Sequence, residues 1–320
     1  MNVKVYEHHA DLPTLTDESY FHSAELMALC EETPRHKPFM TVVTDDEGRV
    51  AAHLLAIERF KGAWFPPHLF THLRVLGEGV YREEKSEQLF EMMVNAITQH
   101  MQNRVLYMEF SHLSQKMFGY GALRNAGYFP VRWMNVHNSL HSRTPEERIS
   151  DRQLRRVQHA LQRGVTTKEV ETDEEFKAFS KLLRHHNWMK PRRYIPDNAF
   201  FKGMMAAGRC KLLITQYHEK TIGCSVTIFS EHDAYLWYSA SRRKSFAALH
   251  PNAVTFWNTI KHAHAAGCRH IRFLDVGLPF RKNPYRDFIL SFGGKEVSTY
   301  RWFRISIRWV NALTSWLWRE

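Results

Sequence analysis

Apolar residues recur along the chain with two periods, one of two residues and one near 3.6, and the switches between them mark out elements. In the first half, Val3–Glu7 is predicted as a strand and Ser19–Cys30 as a helix. Phe39–Val43 and Val50–Ile57 form a hairpin around Asp45-Asp46-Glu47-Gly48, a turn composition that Gly48 favours. Phe70–Leu76 is the third strand, and Ser86–Met101 a helix with Leu89, Met92, Met93 and Ile97 on one stripe. Val105–Phe110 is a strand, and Ser114–Ala126 a helix closed by Gly127.

The second half repeats that order. Val165–Val170 reads as a strand, Asp173–His186 as a helix and Asp197–Ala207 as a shorter one. Three strands follow, Lys211–Tyr217, Thr221–Phe229 and Ala234–Ser241, then a helix over Asn252–Ala266 ending at Gly267. His270–Asp275 is a strand, Pro284–Phe292 a helical piece stopped by Gly293-Gly294, and Val297–Ile307 a strand again. Three consecutive strands in each half exclude a Rossmann-type alternation. Local identity between the halves is weak, so what repeats is architecture.

Between the halves, Thr144-Pro145-Glu146-Glu147 is a capping box with Pro at the first helical position, and Gly164 is a matching stop. One helix is expected between them, made cationic by Arg152, Arg155, Arg156 and Arg163. The predicted organisation is residues 1–144, a basic linking helix over 145–164, and residues 165–320 with an amphipathic tail. In that tail Arg301–Ile307 suggests a strand, and Trp309, Val310, Leu313, Trp316 and Leu317 fall on one helical face. Mixed Trp and Arg suit a membrane interface; the other reading is a terminal strand and helix closing an apolar groove.

Composition narrows the class. The 320 residues are 44% hydrophobic and 24% charged, which fits a globular chain of two domains. Met1–Glu18 has acidic residues and no apolar run, unlike a signal peptide, and no stretch of about 18 apolar residues spans a bilayer. The four cysteines lie far apart without a CxxC pair, which fits reduced thiols in the cytoplasm. The net charge of +11 favours an anionic partner. The 20 histidines show no ligand spacing such as HExxH, so no metal site is expected.

An ordered series in the second half carries a family resemblance: Ala234–Ala240, Leu249-His-Pro-Asn-Ala253, Trp257, Phe273-Leu-Asp275, Gly277, Tyr285 and Phe292-Gly-Gly294, preceded by the basic segment Arg152–Val165. This series resembles the C-terminal domain of the FemABX-like aminoacyltransferases. The resemblance implies an α+β (mixed α/β) fold of two tandem GNAT-like domains, each a mixed central sheet flanked by helices. It also implies acyl transfer to an amine of a cell-envelope precursor or related metabolite. The donor would be an acyl-CoA or an aminoacyl-tRNA, used as substrate with no permanently bound cofactor. The chain departs from the family in two places: Phe288-Ile289 stands where a Phe-Lys pair often precedes the final FGG, and Arg148–Gly164 is too short for a helical-hairpin arm.

GNAT-type transfer needs a neutral amine near an activated carbonyl, a donor for the developing oxyanion and a route for protons, and no covalent nucleophile. The candidates are Asp275, at the C-terminal end of a core strand, to orient the amine or take its proton; Tyr285 to protonate a leaving group; and Tyr238. Trp237 and Tyr238 are expected to alternate, one to the core and one to the cleft. His186, Lys190, Arg192 and Arg193 are candidate acceptor contacts, and Arg242 and Asn252, with Trp237, candidate substrate contacts. Arg74-Val-Leu-Gly77-Glu-Gly79 matches a CoA-binding string, although an acidic stretch separates it from the next helix; an ordinary glycine turn is the other reading. The expected partners are an anionic small molecule or glycolipid precursor, tRNA, and the inner face of the membrane through residues 300–320. Two other functions fit the same features: CoA-dependent N- or O-acetylation, and a non-catalytic double-GNAT module binding RNA or an anionic glycolipid.

Overall fold

A computed structural model of the chain describes residues 1–16, 19–60, 71–114, 116–187, 195–274 and 276–318. Two compact units form, one from residues 1–133 with 298–320 and the other from 134–297.

The first half runs β1 (Asn2–Tyr6), α1 (Ala24–Glu32), β2 (His36–Thr44), β3 (Val50–Phe60), β4 (Thr71–Leu76), β5 (Val80–Tyr81), α2 (Glu87–Met101), β6 (Tyr107–Ser111), α3 (Tyr120–Asn125) and β7 (Phe129–Ser139). The second runs α4 (Pro145–Arg148), α5 (Asp151–Gln162), β8 (Val165–Glu169), α6 (Asp173–Asn187), α7 (Asn198–Ala206), β9 (Cys210–Tyr217), β10 (Lys220–Ser230), β11 (Asp233–Ser241), α8 (Pro251–Ala265), β12 (His270–Phe273), α9 (Pro284–Leu290), β13 (Lys295–Ile305) and α10 (Arg308–Leu317).

The first unit orders its strands β1-β2-β3-β4-β6-β13, with β5 beside β3, and β4 and β6 run parallel. In the second unit the order is β7-β12-β11-β10-β9-β8, with β11 and β12 parallel. Each sheet is finished by the last strand of the other sequence half. Trp302–Ile305 of β13 pair with Tyr107–Phe110 of β6, and Val136–Ser139 of β7 pair with β12. The tail therefore groups with the first unit, and the basic helix falls inside the second. The reason is burial: Trp302 is fully enclosed in the core around α2, with Tyr300 and Phe110 beside it.

Two local expectations change. The capping box forms at Thr144, with Glu147 reaching back to the Thr144 amide at 2.9 Å, but its helix ends after Arg148. Ile149 turns into the core of the second unit and Ser150 starts a new helix, so burial of one apolar residue splits the expected element. In the first unit, α3 is only the last part of the predicted Ser114–Ala126 helix. The Ser114 amide is taken by the Glu78 carboxylate at 2.9 Å, and Gly119, left-handed at φ 65°, starts the helix late.

Candidate functional site

The most informative geometry is in β11. Its register with β10 runs Val226 opposite Tyr238 and then Thr227 opposite Leu236, so Trp237 is an extra residue, a β-bulge. Toward β12 the parallel pairing covers Asp233–Leu236 against His270–Phe273, while β11 continues to Ser241. The bulge falls where that pairing stops, and a bulge bends and twists its strand. The bulge thus lies at the C-terminal end of the β11–β12 parallel pairing, the end of a parallel pair at which open α/β sheets bind ligands. The first unit is built otherwise. There β4 and β6 pair from His72–Tyr107 through Leu76–Ser111, and the Gly77 amide extends the ladder to Ser111 O at 2.8 Å.

The bulge also decides where the β11 aromatics point. The expected alternation of Trp237 and Tyr238 does not occur. Both are buried, with rings nearly parallel at 6.1 Å; Trp237 meets Phe200 edge-on at 6.3 Å and Tyr238 meets Phe201 at 5.9 Å. The extra residue resets the two-residue period, so both side chains join the aromatic layer of α6 and α7.

After β11 the chain passes Arg242-Arg243-Lys244, makes a single 3-10 turn over Ala247–Leu249 and enters α8 through His250, left-handed at φ 43°. Arg242 is half-buried and its amide donates to Ile222 O at 2.8 Å; Arg243 and Lys244 are exposed. Asn252, half-buried, is the second residue of α8, beside the positive end of the helix dipole. Helix α5 packs against α8 and the turn before it. Burial, and then the charges of Arg156 and His159, hold the His250 imidazole below its ordinary range. Basic groups from two segments thus converge on the start of α8.

Asp275, Lys190, Arg192 and Arg193 lie outside the described residues. His186 is half-buried in the last turn of α6, next to buried Asn187. Tyr285 is half-buried in the first turn of α9, its ring edge-on to Phe256 at 6.0 Å. Tyr285 is held there by residues the sequence reading missed. Asn283 Oδ1 accepts from the Tyr285 amide at 3.0 Å, while its Nδ2 donates to Val276 O at 2.6 Å, one residue past Asp275. Arg286 donates to Leu278 O at 3.0 Å and Arg281 O at 3.2 Å and pairs with Glu296 at 3.1 Å. Asn283-Pro284, an N-cap followed by Pro at the first helical position, was the available signal.

The Gly293-Gly294 pair is structural. Gly293 has φ 90°, and a Cβ on it would lie 2.8 Å from Arg148 O. One on Gly294 would lie 2.6 Å from Val136 Cγ1 and 2.8 Å from Asn138 Oδ1. Buried Asn138 meanwhile donates to Phe292 O at 2.9 Å. Ile289, in the place of the family lysine, is fully buried in the core.

The glycine string of the first unit is committed internally. Gly77 donates to Ser111, Gly79 donates to His22 Nε2 at 3.3 Å, and buried Glu78 is bound by Lys85 and Ser114. Those amides are therefore occupied within the fold, and the carboxylate between them would repel a phosphate. Burial pushes the thiols of Cys30, Cys210 and Cys224 up to about 12, so these cysteines stay protonated and unsuited to nucleophilic attack. Among the described residues no group of three or more His, Cys, Asp or Glu is placed to hold a metal ion.

Residues 148–282 match the model of the acetyltransferase (GNAT) domain family. FemX superposes with a TM-score of 0.64 at 11% identity, over 98% of this chain and 100% of that one. The fold is the tandem GNAT fold. A tandem GNAT protein from the clavulanic acid biosynthesis pathway gives a TM-score of 0.54 at 12% identity, covering 95% of this chain and 99% of its own. The C-terminal domain of a protein described as a lysylphosphatidylglycerol synthetase, from Agrobacterium fabrum, gives 0.61 at 12%, covering 91% and 89%. No curated protein matches the sequence. The resemblance to FemABX-like double-GNAT proteins thus holds in the fold, and the bulged strand pair lies in the second GNAT unit.

Proposed function

We propose that the second unit transfers an acyl or aminoacyl group from an activated donor to an amine of a cell-envelope precursor or related metabolite. The observation that carries this reading is the bulge at Trp237 where the pairing of β11 with β12 ends. An extended acyl donor can lie along β11 beyond that point, with strand amides supplying hydrogen bonds to the carbonyl oxygen as it becomes an oxyanion. The amine attacks directly, the tetrahedral intermediate expels the thiolate or ribose oxygen of the donor, and the amine proton leaves through a base. The buried, protonated thiols support direct attack over a cysteinyl intermediate.

In this reading Asp275 orients the amine and takes its proton, and Tyr285 protonates the leaving group. The bulged backbone at Trp237 and Tyr238 borders the donor site, with both side chains packed behind it against Phe200 and Phe201. Arg242 and Asn252, with Arg156, attract the phosphates of a CoA thioester or of an aminoacyl-tRNA. His186, Lys190, Arg192 and Arg193 contact an anionic acceptor. The names of two structural neighbours, FemX and a lysylphosphatidylglycerol synthetase, are consistent with aminoacyl transfer at the cell envelope. In the first unit the ladder continues through Gly77 and Glu78 fills the glycine turn, so this reading assigns transfer to the second unit.

The test is turnover of Asp275→Asn and Tyr285→Phe with donor binding measured alongside. Loss of turnover with binding retained supports the assignment; unchanged turnover in both variants removes these residues from the mechanism.

A further inference from the structure

The C-terminal helix faces the wrong way for a helix that serves only to cover a core. At 100° per residue, Trp309, Leu313, Trp316 and Leu317 of α10 share an arc of about 100°. This apolar arc points to solvent: Trp309 is 71% exposed, Trp316 63%, Leu317 62% and Leu313 49%. The polar edge faces the protein. Asn311, Thr314 and Ser315 are half-buried, and Asn311 fixes the helix by accepting from the Ile305 amide at 2.8 Å and donating to Gly127 O at 3.0 Å. No residue of the helix is buried. A ten-residue helix is marginal in water on its own propensity, so two tryptophans and two leucines held outward gain nothing for the fold.

Charge identifies the occupant. Residues 298–318 hold three arginines and no acidic residue; Arg301 is buried beside Glu109 and Arg304 is half-buried, which leaves Arg308 exposed. The segments that touch the base of the helix add exposed Arg124, before Gly127, and exposed Arg104, before the Val105 and Leu106 carbonyls that receive Ser306. Arg104 has a partner in Glu7 at 3.4 Å; Arg308, at the start of α10, is exposed. Two copies meeting about a twofold axis on this face would bring like charges together. A surface with an apolar interior and anionic head groups matches both features. Tryptophan also suits that boundary, with its ring in the apolar layer and its N–H toward water.

We propose that α10 is an interfacial anchor that lays the Trp309–Leu313–Trp316–Leu317 face into the head-group layer of an anionic bilayer. Ten residues span about 15 Å, half of a hydrocarbon core, so the helix lies in the plane of the surface and does not cross it. The anchor is independent of the transfer reading, because its readout requires no turnover.

The experiment is flotation of the purified full chain with two kinds of vesicle, phosphatidylcholine alone and phosphatidylcholine with added phosphatidylglycerol. It compares the natural protein with the triple variant Trp309→Ser, Leu313→Ser, Trp316→Ser. These side chains are exposed, so circular dichroism and the melting temperature should be unchanged. The expected result is flotation with the anionic vesicles, reduced by salt and by at least about ten-fold in the triple variant. The proposal is overturned if the natural protein stays behind with both vesicles, or if the variant floats equally well. It is also overturned if size exclusion shows a dimer that the same substitutions dissociate, which would assign the face to a second copy.

Discussion

Single residues explain why parts of this chain tolerate little change. Trp302 fills the core of the first unit with no exposed surface, edge-on to Tyr120 at 5.0 Å. Trp302→Ala should cost about 3–5 kcal/mol, read as a lowered urea midpoint. Gly293→Ala would force a Cβ to within 2.8 Å of Arg148 O at a φ of 90°, so about 2–4 kcal/mol should be lost in the second unit, with no direct effect on transfer chemistry. Titration adds a third expectation. Burial, then the neighbouring His53, depresses the His22 imidazole from 6.5 to about 3, and burial depresses His36 to about 4. The unfolded chain therefore takes up these protons at higher pH than the folded one. Their contribution to stability is full above pH 6.5 and should fall as the pH drops from there, to about 4 for His36 and to about 3 for His22. Urea midpoints measured across that window should decline steadily; a flat profile would contradict buried neutral imidazoles.

At the scale of elements, the two parallel strand pairs differ: β11 is bulged where its pairing with β12 ends, while β4 and β6 pair through to Leu76 and Ser111. Amide exchange with and without a bound donor should show protection of residues 237–253 and little change in residues 71–81 and 107–114. Protection of the first-unit strands instead would move the site. Much of this scale was legible in sequence, because hydrophobic period, the Asp45–Gly48 turn and the Thr144 capping box are local signals. The bulge was not legible, since an extra residue in β11 exists only relative to its partner β10. A two-residue period extrapolated through Trp237 and Tyr238 therefore put one of them on the wrong face. The break at Ile149 was hidden for a similar reason: only the folded core shows that an apolar residue there is worth more buried than helical. Asn283 and Arg286 were passed over because their hydrogen bonds go to carbonyls of the loop before them, which carry no side-chain signature.

For the whole molecule, the strand exchange between halves blurs the boundary read from the repeat, since β7 and β13 each complete the other half's sheet. No helix among the described residues is long and apolar enough to cross a membrane. With a net charge of +11, and with Arg242, Arg243, Lys244 and the arginines of α5 in the second unit, the proposed donor binding should weaken as salt rises. Arg242→Ala should weaken a phosphate-bearing donor by about ten-fold, corresponding to the loss of one charge-assisted hydrogen bond. The most direct test of the central claim is a calorimetric titration of the full chain and of Arg242→Ala with acetyl-CoA, a longer acyl-CoA and charged tRNA, at two salt concentrations. The predicted result is saturable binding of at least one of these donors, weakened by salt and by the substitution. Absence of binding by all three, or equal binding by the natural chain and the variant, would contradict a donor site at the start of α8.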